Sequence, residues 1–313
     1  MRVIFMGSPP FGVEVLRHLL ESSHEIVTVV TPPDRPRGRG RRTQVSPLAE
    51  LAGEGHEPIP LLRPTTTRDD AFVASLKALQ PDALMVASYG EILRQPVLDL
   101  APHGAFNVHA SLLPRWRGAA PIQHALLAGD AETGVSVQRM VLALDAGDLV
   151  LSSKTPIDGD ENAGELLARL AVVGGQVAVQ ALDLLEVGGA HFTPQDPAAI
   201  TLAPKLRKDD GVLDWSEDTE SIVRKIRAFT PWPGVHTTLP DGRRLGIRRA
   251  RPIPAASGDP GAVLSSQEGF CVACGGGGAL SLLEVQPEGK TPMDGEAFVR
   301  GARMGSDPRL GAA

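Results

Sequence analysis

One stretch constrains the fold more than any other. Asp82–Ser88 reads DALMVAS, a nearly continuous apolar run of strand length. A strand that is apolar on both faces is expected to be covered on both, as central strands of parallel sheets are. Further strands are predicted at Arg2–Met6, Glu25–Thr31, Pro58–Leu62, Ala105–Ala110, Gly134–Val141 and Leu149–Ile157. Helical patterns lie between or after them, at Val13–Leu20, Ser46–Gly53, Asp69–Leu79, Pro96–Leu100, Pro121–Leu127 and Ala163–Leu185. Ser46 is the expected cap of the second of these, with Pro47 at its first position. The last is read as one long helix despite Gly174-Gly175. This alternation predicts an α/β domain with a doubly wound, mostly parallel sheet.

The pattern then changes. Val187–Pro204 (VGGAHFTPQDPAAITLAP) is rich in Gly, Pro and Ala and reads as a linker. A helix is expected over Glu217–Phe229, with Ser216 as its cap. Short strands follow at His236–Leu239, Arg244–Arg249, Ala262–Ser266, Phe270–Ala273 and Leu280–Val285, the first two joined across the Asp241-Gly242 turn. Five or so short strands suggest a small OB-like β-barrel. The expected organisation is a catalytic domain over 1–187, a linker over 188–204 and a barrel domain over 205–313.

Composition excludes some classes. Of 313 residues, 42% are hydrophobic and 22% charged, which suits a globular protein. No uninterrupted apolar run reaches the roughly 18 residues of a membrane span. Met1–Gly7 already reads as a buried strand, so no signal or transit segment is expected. The two cysteines, Cys271 and Cys274, lie three apart in a strand-like run and so on opposite faces, which disfavours a disulfide or a shared metal. A cytoplasmic protein is expected. The turn Gly7-Ser-Pro-Pro-Phe-Gly12 is neither G-x-G-x-x-G nor a P-loop, which disfavours a nucleotide-dependent oxidoreductase.

The formal charge is −6, unevenly spread. Residues 1–204 carry 16 basic and 23 acidic side chains, and residues 205–313 carry 15 and 14. Five of those 16 are Arg35, Arg37, Arg39, Arg41 and Arg42, within a Pro/Gly/Arg loop that cannot be regular structure. A concentrated basic loop on an acidic body suggests local capture of a polyanion, here nucleic acid. Residues 221–251 form a second basic run, with eight Lys/Arg and one acid, Asp241.

The chemistry concentrates in NVHASLLPRWRGAAP, Asn107–Pro121. Asn107 and His109 share one face of a strand that ends just after them. That places them near the carboxyl edge, where open α/β sheets bind ligands. An amide that donates to an oxyanion beside an imidazole that moves a proton suits acyl transfer.

Together with Leu144-Asp145-Ala-Gly-Asp148, the loop DRPRGRG (Asp34–Gly40) and RAFTPWPG (Arg227–Gly234), this stretch resembles the folate-dependent formyltransferases, over nearly the whole chain. In the acid loop, Ala146 stands where relatives often have Thr. The resemblance implies transfer of a formyl group from 10-formyltetrahydrofolate to the α-amine of initiator methionyl-tRNA, without a metal. It implies that Asn107 binds the oxyanion and His109 assists proton transfer, while Asp145 orients the imidazole directly or through water. Ser111, Leu112, Leu113 and Pro114 would line the folate slot. Tyr89, Gly90, Ile92 and Leu93 would form its other wall, largely through backbone groups. The arginine loop and the barrel would hold the tRNA, and the protein would act as a monomer without an obligate protein partner.

Arg115 and Arg117 are open between phosphate contacts and a solvated turn, and Trp116 between packing and substrate contact. The nearest rival is a formyltransferase acting on an amino sugar nucleotide, which the arginine loop and the barrel disfavour. A non-catalytic RNA-binding protein is disfavoured by the complete Asn107, His109 and Asp145 set.

Overall fold

The computed structural model describes residues 1–33, 45–54, 58–253, 258–302, 304–306 and 308–311. In chain order its elements are β1 (Arg2–Gly7), α1 (Phe11–Leu20), β2 (Glu25–Val30), α2 (Pro47–Gly53), β3 (Leu61–Leu62), α3 (Asp70–Ala78), β4 (Ala83–Ala87) and α4 (Gln95–Leu98). There follow β5 (Ala105–His109), β6 (Arg117–Gly118), α5 (Pro121–Ala128), β7 (Glu132–Arg139), β8 (Leu149–Pro156), α6 (Ala163–Glu186) and β9 (Leu202–Ala203). The remainder comprises α7 (Thr219–Phe229), β10 (Val235–Thr238), β11 (Arg244–Ile253), β12 (Val263–Leu264), β13 (Cys271–Ala273), β14 (Ala279–Pro287), β15 (Met293–Asp294) and α8 (Gly295–Gly301). The chain divides into two compact units. The first is residues 1–121, 132–156 and 167–203, and the second is 122–131, 157–166 and 204–313.

The first unit holds a seven-stranded sheet of order β3-β2-β1-β4-β5-β7-β8. Five strands run parallel, and β7 and β8 complete the edge antiparallel. This is the doubly wound sheet expected, with an antiparallel margin. The ALMVA core of the DALMVAS run is β4, buried at every position between β1 and β5. Its Leu84 and Val86 join Ile4, Met6 and Leu76 in one core cluster. The chain leaves β1 toward β2 on one side and toward β4 on the other, so the carboxyl ends of β1 and β4 form a topological switch point.

The glycine pair in α6 has a packing reason. A Cβ on Gly174 would stand 2.9 Å from the Phe11 ring and 3.3 Å from Val108 Cγ1, and one on Gly175 would stand 2.5 Å from the His18 ring. The helix lies too close to α1 and β5 for side chains at these positions. By length and composition, the 24-residue α6 would also pass for a membrane span, but half of its most apolar window is buried within the protein, as in a core helix.

The second unit carries an antiparallel sheet of order β10-β11-β14-β13-β12, with β15 added to β14. Irregular register between Ile247 and Ala250 marks bulging in the ten-residue β11. Bulges bend a strand and raise its twist, which suits the barrel-like curl expected of this domain. The α7 helix buries Ile222, Ile226 and Phe229, one stripe of a 3.6-residue period.

Two caps differ from expectation. The α7 cap is Asp218, whose carboxylate accepts from Ser221 N, while the expected cap Ser216 donates its hydroxyl to Asp214. An ionised carboxylate is the stronger acceptor at a helix N-terminus, and it wins. Ser46 does stand at the cap position of α2, but its side chain makes no capping bond. Cys271 and Cys274 are both free and buried. Burial pushes the Cys274 thiol up to about 11.

Candidate active site

Asn107 and His109 lie on β5, and their antiparallel neighbours on β7 are Gln138 and Ser136. Directly opposed residues project from the same face, so the register gathers four polar side chains at the end of β5. The loop after β7 brings Asp145 to them. Its carboxylate Oδ1 accepts from Gln138 Nε2 at 3.0 Å and, at a long 3.4 Å, from Asn107 Nδ2. Its Oδ2 accepts from the Gly118 backbone N–H at 2.9 Å and stands 3.8 Å from His109 Nδ1. That gap is too wide for a hydrogen bond but within ion-pair range.

The other nitrogen, His109 Nε2, is 2.9 Å from the Trp116 carbonyl. A carbonyl only accepts, so Nε2 carries a hydrogen. His109 is thus set between a carbonyl and a carboxylate, and only 6% of it is exposed. Asp145 has φ +46 and Trp116 φ +62, the left-handed region that side chains enter at a cost. Two residues beyond Asp145, a Cβ on Gly147 would stand 1.7 Å from the Arg139 carbonyl oxygen. Only glycine lets the acid loop lie this close to the end of β7.

The segment 111–118 is pinned from two sides. Leu113 N donates to Ser136 Oγ at 3.1 Å, and that hydroxyl donates to the Ser111 carbonyl at 2.8 Å. Ser111 Oγ donates to the Arg115 carbonyl at 2.6 Å, closing the turn. On the other side β6 pairs in parallel with β9, and Trp116 N donates to Thr201 Oγ1 at 2.8 Å. Part of the stretch expected as a linker therefore braces the signature loop within the first unit. Arg117 directs its fork onto Gln195 Oε1, at 3.0 and 2.8 Å, and Arg115 lies over the Trp116 ring at 4.4 Å.

Among the residues expected to line folate, Ser111 is fully buried and Leu113 nearly so, while Leu112 and Pro114 are half-buried. Tyr89 and Leu93 belong to the core cluster, so what they can offer a ligand is backbone. Gly90 and Ile92 are exposed. Ser8 joins the two sides of the switch point here, its N donating to the Ala87 carbonyl at 3.2 Å and its Oγ to the Tyr89 carbonyl at 3.3 Å. Burial, with a smaller contribution from Glu91, pushes the Tyr89 phenol up to about 12.

Arg35, Arg37, Arg39, Arg41 and Arg42 lie outside the described residues. In the second unit the basic run is less bare than its sequence suggests. Arg224 pairs with Glu220, Lys225 with Glu217, Arg243 with Asp241, Arg249 with Glu165 and Arg251 with Glu268. Four of those acids lie outside the 221–251 window and were invisible to a local count. Arg227 is turned onto backbone carbonyls, with Nε on Glu161 at 2.9 Å and Nη2 on Asp158 at 2.6 Å. Arg244 donates to His236 Nδ1 and Arg248 to Gln286. Burial, and then Arg244, hold His236 below the usual histidine range.

A strand-end amide and imidazole beside a loop carboxylate, on a doubly wound sheet, form a polar cluster of the kind that acyl transfer can use. The chain belongs to the formyl transferase family: the formyl transferase model matches residues 1–182, and the formyl transferase C-terminal domain model matches residues 205–303. Within the family, the curated proteins it resembles over nearly its full length are methionyl-tRNA formyltransferases. That of Geotalea daltonii is 43% identical, covering 99% of this chain and 98% of the relative, and that of Anaeromyxobacter dehalogenans strain 2CP-1 is 45% identical, covering 97% of each. Among solved structures, the fold is similar to HypX from Aquifex aeolicus in complex with tetrahydrofolic acid, with a TM-score of 0.65 and 20% identity, covering 96% of this chain and 47% of that one. It is also similar to an N-formyltransferase from Helicobacter canadensis, with a TM-score of 0.66 and 14% identity, covering 91% and 98%.

Sequence reasoning missed Gln138, Gln195 and the Trp116 carbonyl. Gln138 left little trace, as one of several polar residues on β7, and only the register sets it opposite Asn107. Gln195 left none, because it sits in a stretch that reads as a linker.

Proposed function

We propose that this protein transfers the formyl group of 10-formyltetrahydrofolate to the α-amino group of initiator methionyl-tRNA, for translation initiation in the cytoplasm. The observation that carries the reading is the convergence of Asn107, His109 and Asp145 at the end of β5, in a chain 40–45% identical to methionyl-tRNA formyltransferases. An α-amine titrates near 7.7–8.0, so a useful fraction is neutral at pH 7. The neutral amine attacks the formyl carbon and a tetrahedral oxyanion forms. The bond from that carbon to folate N10 then breaks, the amine nitrogen loses a proton, and N10 gains one.

Asn107 has two amide hydrogens, and its long contact to Asp145 leaves donor capacity for the oxyanion. Comparable amide donors supply about 2.7–4 kcal/mol of transition-state stabilisation. His109 lies between the Trp116 carbonyl and the Asp145 carboxylate. It stabilises the oxyanion and is the source of the N10 proton, which requires exchanging one of those contacts for substrate. Contacts of this kind are often loose before substrate binds. Folate lies along 111–114 and the backbone of 89–93, beside the switch point. The five arginines of 35–42 and the barrel hold the tRNA, and the enzyme works as a monomer without a metal.

The test is transfer of labelled formyl from 10-formyltetrahydrofolate to methionyl-tRNA, with an amino sugar nucleotide as competing acceptor. Label in the aminoacyl-tRNA, undiminished by the competitor, is expected. Label in the sugar nucleotide alone would replace this reading with the rival one.

A further inference from the structure

We infer that Gln195 is a positioning residue for Asp145, the last link of a directional polar relay that starts at Arg117. This rests on the proposed role of Asp145. The relay follows from what each group can donate. A guanidinium has donors only, so the Gln195 atom that receives both Nε and Nη2 of Arg117 must be the carbonyl oxygen Oε1. Its amide nitrogen is thereby turned the other way, onto three acceptors: Gln138 Oε1 at 3.1 Å, the Asp145 carbonyl at 2.9 Å and the Gly147 carbonyl at 2.7 Å. Two hydrogens serve three acceptors, so one is shared. With its Oε1 held, Gln138 must present its own amide nitrogen to Asp145 Oδ1, at 3.0 Å. The orientation of two amides is set by one arginine, and the chain ends on the catalytic carboxylate.

Gln195 also ties together the two loops that fix the imidazole. Arg117 stands between Trp116, whose carbonyl holds His109 Nε2, and Gly118, whose N–H holds Asp145 Oδ2. The backbone carbonyls of the acid loop hang on the nitrogen of the same amide. One side chain, 9% exposed, thus spans both halves of the 3.8 Å gap between His109 and Asp145. The relay needs a group that accepts on one side and donates on the other. Glutamine does both, glutamate keeps the size and the Arg117 contact but cannot donate, and alanine does neither.

The experiment is a double-mutant cycle on full-length protein, read by single-turnover formyl transfer. Gln195→Ala and Gln195→Glu are each expected to lower the rate of transfer about 10–100-fold, a range set by the loss of tightly held geometry, with KM for formyltetrahydrofolate within about twofold of wild type. In the Asp145→Asn background the same changes are expected to cost less than about twofold, because the carboxylate they position is gone. A general loosening of the fold would instead multiply with Asp145→Asn and raise KM. Multiplicative losses, or a Gln195→Glu variant with wild-type rate, would overturn the relay. Should Gln195→Ala not fold, the isosteric Gln195→Glu carries the cycle alone. Full activity of Asp145→Asn itself would remove the functional reading and the relay with it, whereas an inactive Asp145→Asn beside an undamaged Gln195→Ala removes only the relay.

Discussion

His109 Nδ1 and Asp145 Oδ2 face each other across 3.8 Å, both largely buried, the imidazole held through Nε2 by the Trp116 carbonyl and the carboxylate oxygen by the Gly118 N–H. The separation admits charge attraction while leaving room for the imidazole to move by a few tenths of an ångström when substrate arrives. Loss of either group should therefore strike turnover first. His109→Ala and Asp145→Asn are expected to lower kcat by about 10²–10⁴, the range of positioned acid–base groups, with folate affinity little changed. Burial adds a stability cost: truncating His109 leaves the Trp116 carbonyl short of a donor, worth about 1–3 kcal/mol. Single-turnover rates and thermal melts separate the two effects, and rates near wild type would remove both residues from the mechanism.

How much of this site the sequence disclosed follows from the range of the interactions. Asn107 and His109 were legible because a strand repeats every two residues and ends at a proline-containing loop, both local facts. Asp145 was reachable only through the resemblance, since 36 residues of chain separate it from His109. Gln195 and Arg117 lie farther apart still, and nothing in Val187–Pro204 announces that Thr201 and Gln195 will brace the signature loop. The α6 glycines read as flaws in a helix until the Phe11 and His18 rings explain them. Ser216 and Asp218 are both good caps, and propensity alone could not rank them. Of the cations in 221–251, Arg249 and Arg251 look unpaired in sequence because Glu165 and Glu268 reach them from outside that window.

Arg227, in the RAFTPWPG signature, is expected to hold its own unit together. Its guanidinium closes on the carbonyls of Glu161 and Asp158, both in the second unit. Burial lowers its pKa and the neighbouring acids Asp160, Glu161 and Asp158 oppose that, so the group is partly desolvated yet stays charged. Arg227→Ala should destabilise by about 2–4 kcal/mol, the loss of two bonds to a charged donor. Arg227→Lys should recover little, because one ammonium cannot copy the fork. Denaturant midpoints at constant m-value are the measurement, and unchanged midpoints would mean that these two contacts do not hold the unit together.

Tyr89 offers an optical handle, being the only tyrosine in the chain. Burial pushes its phenol from 10 to about 12. The raised pKa means that the folded protein holds this proton more tightly than the unfolded chain does. The corresponding stability is fully present below about pH 10 and is lost as pH rises toward about 12. Phenolate absorbance should rise near pH 12 in native protein and near pH 10 in denaturant, and Tyr89→Phe should soften the alkaline loss of stability in that window. A native midpoint near 10 would mean that the ring is wetter than its place in the core cluster requires.

The arginine loop supplies the last prediction, argued from charge. The 1–204 portion has seven more acids than bases even with Arg35, Arg37, Arg39, Arg41 and Arg42 counted. Without local compensation such a body repels a polyanion. Arginine suits the task because its planar fork donates two hydrogen bonds to one phosphate. Replacing Arg39, Arg41 and Arg42 with Ala should weaken tRNA binding while leaving folate binding intact. Each lost phosphate contact flattens the dependence of log K on log salt by about 0.9 for duplex or about 0.7 for single strand, so three should change the slope by roughly 2–3. Bound tRNA should also slow tryptic cleavage after these arginines, and folate alone should not. If the triple variant keeps the wild-type slope and tRNA leaves the wild-type loop open to trypsin, the loop's charge serves solvation and tRNA is captured elsewhere.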